Sequence, residues 1–302
     1  MTDSATLNQS RGAIRSALLA ASVLALFTLS SSAPASPAAE QVDLKLVLAT
    51  DVSGSINDEE FELQRQGTAD AFMDPGVVKS IQSGALGRIA VAMFDFSSPE
   101  YDKVVLDWHI IRDTASATAF AKEVRDSPRT PGRRTSVSSA LELGSTLIEA
   151  SAADIVATRR VIDVSGDGPN NDGNSMREVH DRVIGQGIVV NGLPVMDDNA
   201  NGYFPNLDKY YAACVAGGRG SFVVVAHSFR DFGAAMRHKL ILEVSGIAPA
   251  SKFAKFAPAG KSLLTKVAMP GGPSQPQVVR PGQNEFSDHC DITGGFGGFN
   301  RF

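Results

Sequence analysis

Apolar, β-branched runs alternate with segments of helical spacing along most of this chain, and that alternation constrains the fold more than any other feature. Val42 to Ala49 is an apolar run that ends in the polar loop Asp51 to Asn57. Glu59 to Phe72 then places Phe61, Ala69 and Phe72 at helical intervals. Arg88 to Phe94 and Lys103 to Trp108 read as two strands joined by a short loop, a hairpin that supplies one antiparallel edge strand. Helices are expected at Ala115 to Val124, Val137 to Ala150, Ser175 to Gly185, Leu207 to Val215 and Phe229 to Glu243. Strands are expected at Arg160 to Val164, Gly187 to Pro194 and Ser221 to Ala226. Strand and helix in turn imply an α/β protein: a three-layer, doubly wound, mostly parallel sheet covered on both faces by right-handed crossovers. Ligands of such sheets sit beyond the carboxyl ends of the strands.

The 302 residues exceed what this pattern needs, and the excess lies at the ends. Arg11 and Arg15 precede an apolar run, Ala17 to Leu29, and Ala33-Pro34-Ala35 offers small residues for cleavage, so residues 1–35 read as a secretory signal. Residues 36–41 form a short linker and residues 42–244 the folded domain. The tail, 245–302, holds scattered prolines and the runs Gly271-Gly272 and Gly294-Gly295-Phe296-Gly297-Gly298-Phe299, a composition expected to stay flexible. The expected location is therefore the periplasm or beyond, with no membrane span in the mature chain.

Net charge is −5; the leader carries +1 and the tail +3, which leaves −9 on the core. An acidic core argues against broad binding of nucleic acid. The two cysteines, Cys214 and Cys290, either pair in an oxidising compartment and pin the tail to the domain, or leave Cys214 as a small buried residue and Cys290 free.

Chemistry concentrates at three separated places. Asp51-Val52-Ser53-Gly54-Ser55 follows the first strand and offers a carboxylate and two hydroxyls at alternate positions. These are hard oxygen ligands suited to magnesium or a similar ion. Alone, the segment reads equally as an Asp/Ser turn capping the next helix. Thr135 stands just ahead of the helix containing Ala140-Leu141, and Asp167-Gly168 follows the strand that ends near Val164. Asp163 is a competing carboxylate, but it lies inside the strand run.

On these residues the chain resembles the von Willebrand factor type A family, which includes integrin inserted domains, and in particular an exported bacterial branch of it. That family places an Asp-x-Ser-x-Ser loop after its first strand, a threonine five residues before an Ala-Leu helix pair, and an Asp-Gly after its central strand. The resemblance, spanning about residues 42–244, implies a divalent-metal adhesion site of Asp51, Ser53, Ser55, Thr135 and Asp167 holding Mg2+ or Mn2+. It also implies a binding module whose partner protein offers a carboxylate to the ion. The glycine pair usual before the threonine is replaced by Gly132-Arg133-Arg134, whose arginines either repel the ion or steer an acidic partner to it.

Other readings are thinner. Asp197, Asn199, Asn201, Gly202 and Asp208 match positions of a calcium loop, although the segment also reads as a polar loop entering the Leu207 helix with Asn206 as its cap. No zinc spacing, nucleophile elbow or phosphate loop is present, so an enzyme is not expected. The alternative is a hydrolase using the same ion to activate water. A third reading has the ion merely knitting three loops together.

Overall fold

The computed structural model describes residues 38–101, 103–130, 132–196, 204–246, 276–282, 286–287 and 289–291. Seven strands form one sheet: β1 (Glu40–Asp51), β2 (Ile89–Phe96), β3 (Lys103–Ile111), β4 (Ile155–Gly166), β5 (Val189–Pro194), β6 (Val223–Val225) and β7 (Gln277–Val279). Their order across the sheet is β3-β2-β1-β4-β5-β6-β7. β1 lies at the centre, parallel to β2 on one side and β4 on the other. β5 and β6 continue the parallel run, and β3 pairs antiparallel with β2 at the expected edge.

The helices are α1 (Asp58–Met73), α2 (Pro75–Gln82), α3 (Thr114–Asp126), α4 (Val137–Ala150), α5 (Met176–Gly185), α6 (Leu207–Tyr210) and α7 (Phe232–Ser245). The period-two alternation of β1 sorts them into layers. Leu44, Leu46 and Leu48 face a core shared with Phe72, Val77, Phe120 and Leu240, from α1, α2, α3 and α7. Val47 and Ala49 face the opposite core, with Leu141, Val179, Val183 and Leu207 from α4, α5 and α6. The fold is the expected three-layer, doubly wound α/β architecture.

Local chemistry sets the helix ends. Asn57 and Glu60 form a reciprocal capping box at the start of α1, and Asp113 and Ser116 do the same for α3. α2 lacks a counterpart among the expected helices; Asp74 caps it and Pro75 occupies its first turn. α7 stops at Gly246, whose φ of 62° is the left-handed cap glycine tolerates best.

α1 and α7 touch backbone to backbone. A Cβ on Gly67 would lie 2.9 Å from both Cα and N of Gly233. Gly67→Ala gains about 1 kcal/mol of helix preference but forces the helices apart at a typical cost of about 1–3 kcal/mol, and Gly67→Val gains less and adds more bulk. The urea midpoint is expected to fall from parent to Ala to Val at constant slope. An unchanged midpoint in the valine variant would refute the close approach.

The tail departs from its expected flexibility in two places. Gln277–Val279 adds β7 antiparallel to β6, because β6 would otherwise present unpaired backbone at the sheet edge and Val278-Val279 suits a strand. Cys290 is bonded to Cys214 across 76 residues, so the open question of the cysteines closes on the pair. The leader 1–35 lies outside the described residues, as do Asp197, Asn199, Asn201 and Gly202 of the calcium-loop reading. Asp208 is described, on α6. Asn206 stands at the N-cap of α6 but makes no side-chain cap bond. Among the described residues no helix is long and apolar enough to cross a membrane.

Candidate metal centre

Three loops meet beyond the carboxyl ends of β1 and β4. Backbone bonds lock them. Val52 N–H donates to Phe96 O at 3.0 Å, and Gly132 N–H to Val52 O at 3.1 Å. Ser136 N–H donates to Ser97 O and Asn171 N–H to Thr135 O, each at 2.8 Å. The first loop, the loop ahead of α4 and the loop after β4 are thereby one body.

Inside it the expected residues converge. Asp51 is fully buried, and its Oδ1 accepts from Ser53 N–H at 2.8 Å. Ser53 Oγ and Ser55 Oγ are hydrogen-bonded at 3.2 Å, and Ser55 Oγ donates to Asp167 Oδ1 at 2.8 Å. Ser53 and Asp167 are buried, while Ser55 is exposed and forms the mouth. Thr135, also buried, enters from the second loop, its N–H donating to Asn171 Oδ1 at 2.9 Å. A Cβ on Gly168 would lie 3.5 Å from Thr135 Oγ1, which puts the threonine hydroxyl against the Asp167-Gly168 turn.

The electrostatics of this cluster are unbalanced. Burial, and then the neighbouring Asp167 carboxylate, push the Asp51 carboxyl well above its usual range. Asp51 Oδ2 is buried and has no hydrogen-bond partner among the described residues. Gly166 allows this crowding, since a Cβ there would lie 2.7 Å from Asp51 Oδ2. Two adjacent carboxylates with hydroxyls, and no cation facing them among the described residues, make a site that a hard divalent ion would relieve. The residues present fit such an ion. Among the described residues no group of three or more His, Cys, Asp or Glu side chains is placed to hold a metal, so the candidate depends on its hydroxyls.

Asp163 does not join this centre. It points into the α7 face of the sheet, where Lys239 forms an ion pair with it. His227 is exposed, just past β6.

Several contributing residues carried no motif in the sequence. Gln64 of α1, buried, reaches Asp51 O with Nε2 at 3.4 Å. Asn170 Oδ1 accepts from Ser138 N–H at 2.9 Å, and Asn171 holds Thr135 as described. A Cβ on Gly166 would lie 3.0 Å from Tyr211 Oη, so the Tyr211 hydroxyl closes the wall beside Asp51. Asn170-Asn171 follow closely on Asp167-Gly168 in the sequence, but nothing local marked Gln64 or Tyr211.

A family described as "Protein of unknown function (DUF1194)" matches residues 41–248, about two thirds of the chain. The chain belongs to this family. The DUF1194 domain is the doubly wound α/β unit described above, with β1 at the centre of its sheet, parallel to β2 and β4. No curated protein matches the sequence. Among solved structures, this DUF1194 protein is similar to the pilus adhesin SpaC from Lactobacillus rhamnosus GG: 16% identity over 70% of this chain and 31% of that one, TM-score 0.48. It is similar to the vWF domain of the type V pili tip protein Mfa5 from Porphyromonas gingivalis: 10% identity over 69% and 97%, TM-score 0.47. Proximal thread matrix protein 1 from the mussel byssus matches at 14% identity over 68% and 46%, TM-score 0.44. The chain spans less than half the length of the adhesin and thread-matrix structures.

Proposed function

We propose that this DUF1194 protein is an exported, metal-dependent protein-binding module. Asp51, Ser53, Ser55, Thr135 and Asp167 would hold a divalent ion such as Mg2+ or Mn2+, and a carboxylate of a partner protein would complete the site. The observation that supports it most is the unpartnered Asp51 Oδ2, buried beside Asp167 within a ring of hydroxyls. The ion would supply an electrophilic centre with a coordination position open to an anionic oxygen.

The protein's own groups fix the rest of the recognition. Ser53 and Thr135 keep the floor polar but neutral, so the two carboxylates only balance the ion's charge and leave a coordination position that an anionic oxygen can fill. Ser55 stands at the mouth. Arg133 and Arg134, both exposed, lie beside it, since a Cβ on Gly54 would be 3.0 Å from Arg133 O. Neither arginine forms an ion pair among the described residues, so both are available to steer an acidic partner toward a domain that is otherwise acidic.

The test is calorimetric titration of the mature chain with Mn2+, repeated on Asp167→Ala and Ser53→Ala. One saturable site is expected, weakened tenfold or more in the serine variant, about the loss typical when a metal's supporting contacts go, and lost in the aspartate variant. Binding that persists unchanged in both variants sinks the proposal.

A further inference from the structure

The tail reaches the proposed centre through an unbroken set of contacts. Cys290, buried, is bonded to Cys214 in the single-turn π-helix 211–215 that continues α6. Phe286 packs beside it on Phe204 and Tyr210, with ring centroids 5.5 and 6.2 Å apart. Tyr210 Oη donates to Cys290 O at 3.0 Å and accepts from Asn170 N–H at 3.2 Å. Asn170 lies three residues beyond Asp167 and holds Ser138 at the start of α4. At the far end of the same loop, Asp291 accepts from Ser175 Oγ at 2.7 Å and from Met176 N–H, on the first turn of α5.

We propose that the tail residues Phe286, Cys290 and Asp291 are a working part of the third metal loop, and that formation of the Cys214–Cys290 bond completes the metal centre. The proposal rests on the metal reading above and adds the positioning device behind it. Tyr210 is the pivot. Burial keeps its phenol neutral, so it has one proton to give and lone pairs to accept with. Giving that proton to the Cys290 carbonyl turns its lone pairs toward Asn170 N–H. Asp291 meanwhile satisfies donors at the amino end of α5, where they would otherwise lack acceptors. The loop 168–175 is thus gripped at one end by Tyr210, itself held by Cys290, and at the other by Asp291, more than a hundred positions later in the chain.

The covalent step is a thiol–disulfide exchange. Cys214 and Cys290 give up two protons and two electrons to a disulfide-bearing oxidant, which leaves as a dithiol. Before it, Phe286, Cys290 and Asp291 are held only by weak contacts, and the loop lacks its grip. The chain should therefore be a poor metal binder while reduced and a competent one once it is in an oxidising compartment.

The experiment uses the mature chain, Tyr210→Phe and Cys290→Ser, each measured by Mn2+ calorimetry and by hydrogen exchange. Tyr210→Phe keeps the bridge and removes only the relay, so it decides the matter if Cys290→Ser fails to fold. Exchange at residues 168–176 should rise in both variants with residues 44–51 unchanged. Mn2+ affinity should fall about tenfold in each, as for other loss of supporting contacts. Exchange at 168–176 that stays parental in every folded variant overturns the strap. Raised exchange with parental Mn2+ affinity overturns its link to the centre. If the parent itself binds no Mn2+, the metal reading fails, while the exchange pattern still decides whether the tail holds the loop.

Discussion

Asp51→Asn is expected to abolish Mn2+ binding and yet, in chelator, to give a more stable protein than the parent. The two halves come from one cause. In the metal-free protein Asp51 is fully buried beside Asp167, with Oδ2 unpartnered, so its charge destabilises the fold. Asparagine keeps the oxygen that accepts from Ser53 N–H, removes the charge, and replaces the second oxygen with an N–H2 group. Relief of such a buried group is worth about 1–3 kcal/mol. The same substitution removes the carboxylate the ion needs. At a hundredfold excess of Mn2+ over its dissociation constant, the parent should gain about 2.7 kcal/mol, or roughly 5–10 °C in Tm for a domain of this size. Thermal melts of both proteins, with Mn2+ and with chelator, should cross: the variant higher in chelator, the parent higher in Mn2+. A variant that keeps the Mn2+ shift would remove Asp51 from the site. A variant less stable than the parent in chelator would mean that the carboxylate is better satisfied than its surroundings indicate.

The layers and the antiparallel edge strand were legible because each element carried its own period. β1 and β4 read as apolar runs, α4 was bounded at its observed residues, and the hairpin of β2 and β3 followed from two strands with too little chain between them for a crossover. The three loops that meet at Asp51 were legible because each pairs a strand end or helix start with oxygen side chains in fixed order. What escaped depends on contacts between distant segments. α2 hides because its eight residues contain Pro75 and Gly76, which read as a turn until Asp74 is seen to cap them. β7 hides in a proline-rich tail, since three residues have no period and become a strand only against the open edge of β6. Gln64 and Tyr211 support the centre from sequence positions without local meaning.

Two charged residues did leave a trace that only packing explains. Arg65 sits on the apolar stripe of α1, between Phe61 and Phe72, where helical spacing calls for a hydrophobic residue. It is buried, bonds both oxygens of Asp95 at 2.8 and 2.7 Å, and lies over the Phe61 ring at 4.5 Å. It thereby ties α1, which begins just after the Asp51–Ser55 loop, to the end of β2. Lys239 interrupts the stripe of α7 in the same way. A charge on a core-facing stripe is a signal for a buried partner, though the partner itself cannot be chosen until the sheet is assembled.

The choice of partner for Lys239 explains why Asp163 stays out of the Asp51 cluster, and it yields the other large effect. Lys239, Asp163 and Glu243 are all buried; Lys239 Nζ contacts Asp163 Oδ1 and donates to Glu243 Oε1 at 2.7 Å, and Asn191 Nδ2 donates to the same Oε1 at 2.8 Å. Burial and then Glu243 push the Asp163 carboxyl well above its usual range, and Lys239 opposes them. In Lys239→Met that opposition disappears and two buried carboxyl groups face each other. Removing one member of a buried pair typically costs 3–5 kcal/mol, and that loss is expected here in urea unfolding with chelator present. Neutralising all three residues, as Asp163→Asn, Lys239→Met and Glu243→Gln together, should recover most of the loss, because no charge is then left unpaired. The pH dependence has a definite sign. With the folded carboxyl pKa raised above its unfolded value, the folded state binds more protons, so Lys239→Met should gain stability relative to the triple variant as pH falls from 7 toward 4. A single-variant loss below about 1 kcal/mol, the size of an ordinary substitution, would mean that water reaches the triad and that α7 is not held to β4 by charge.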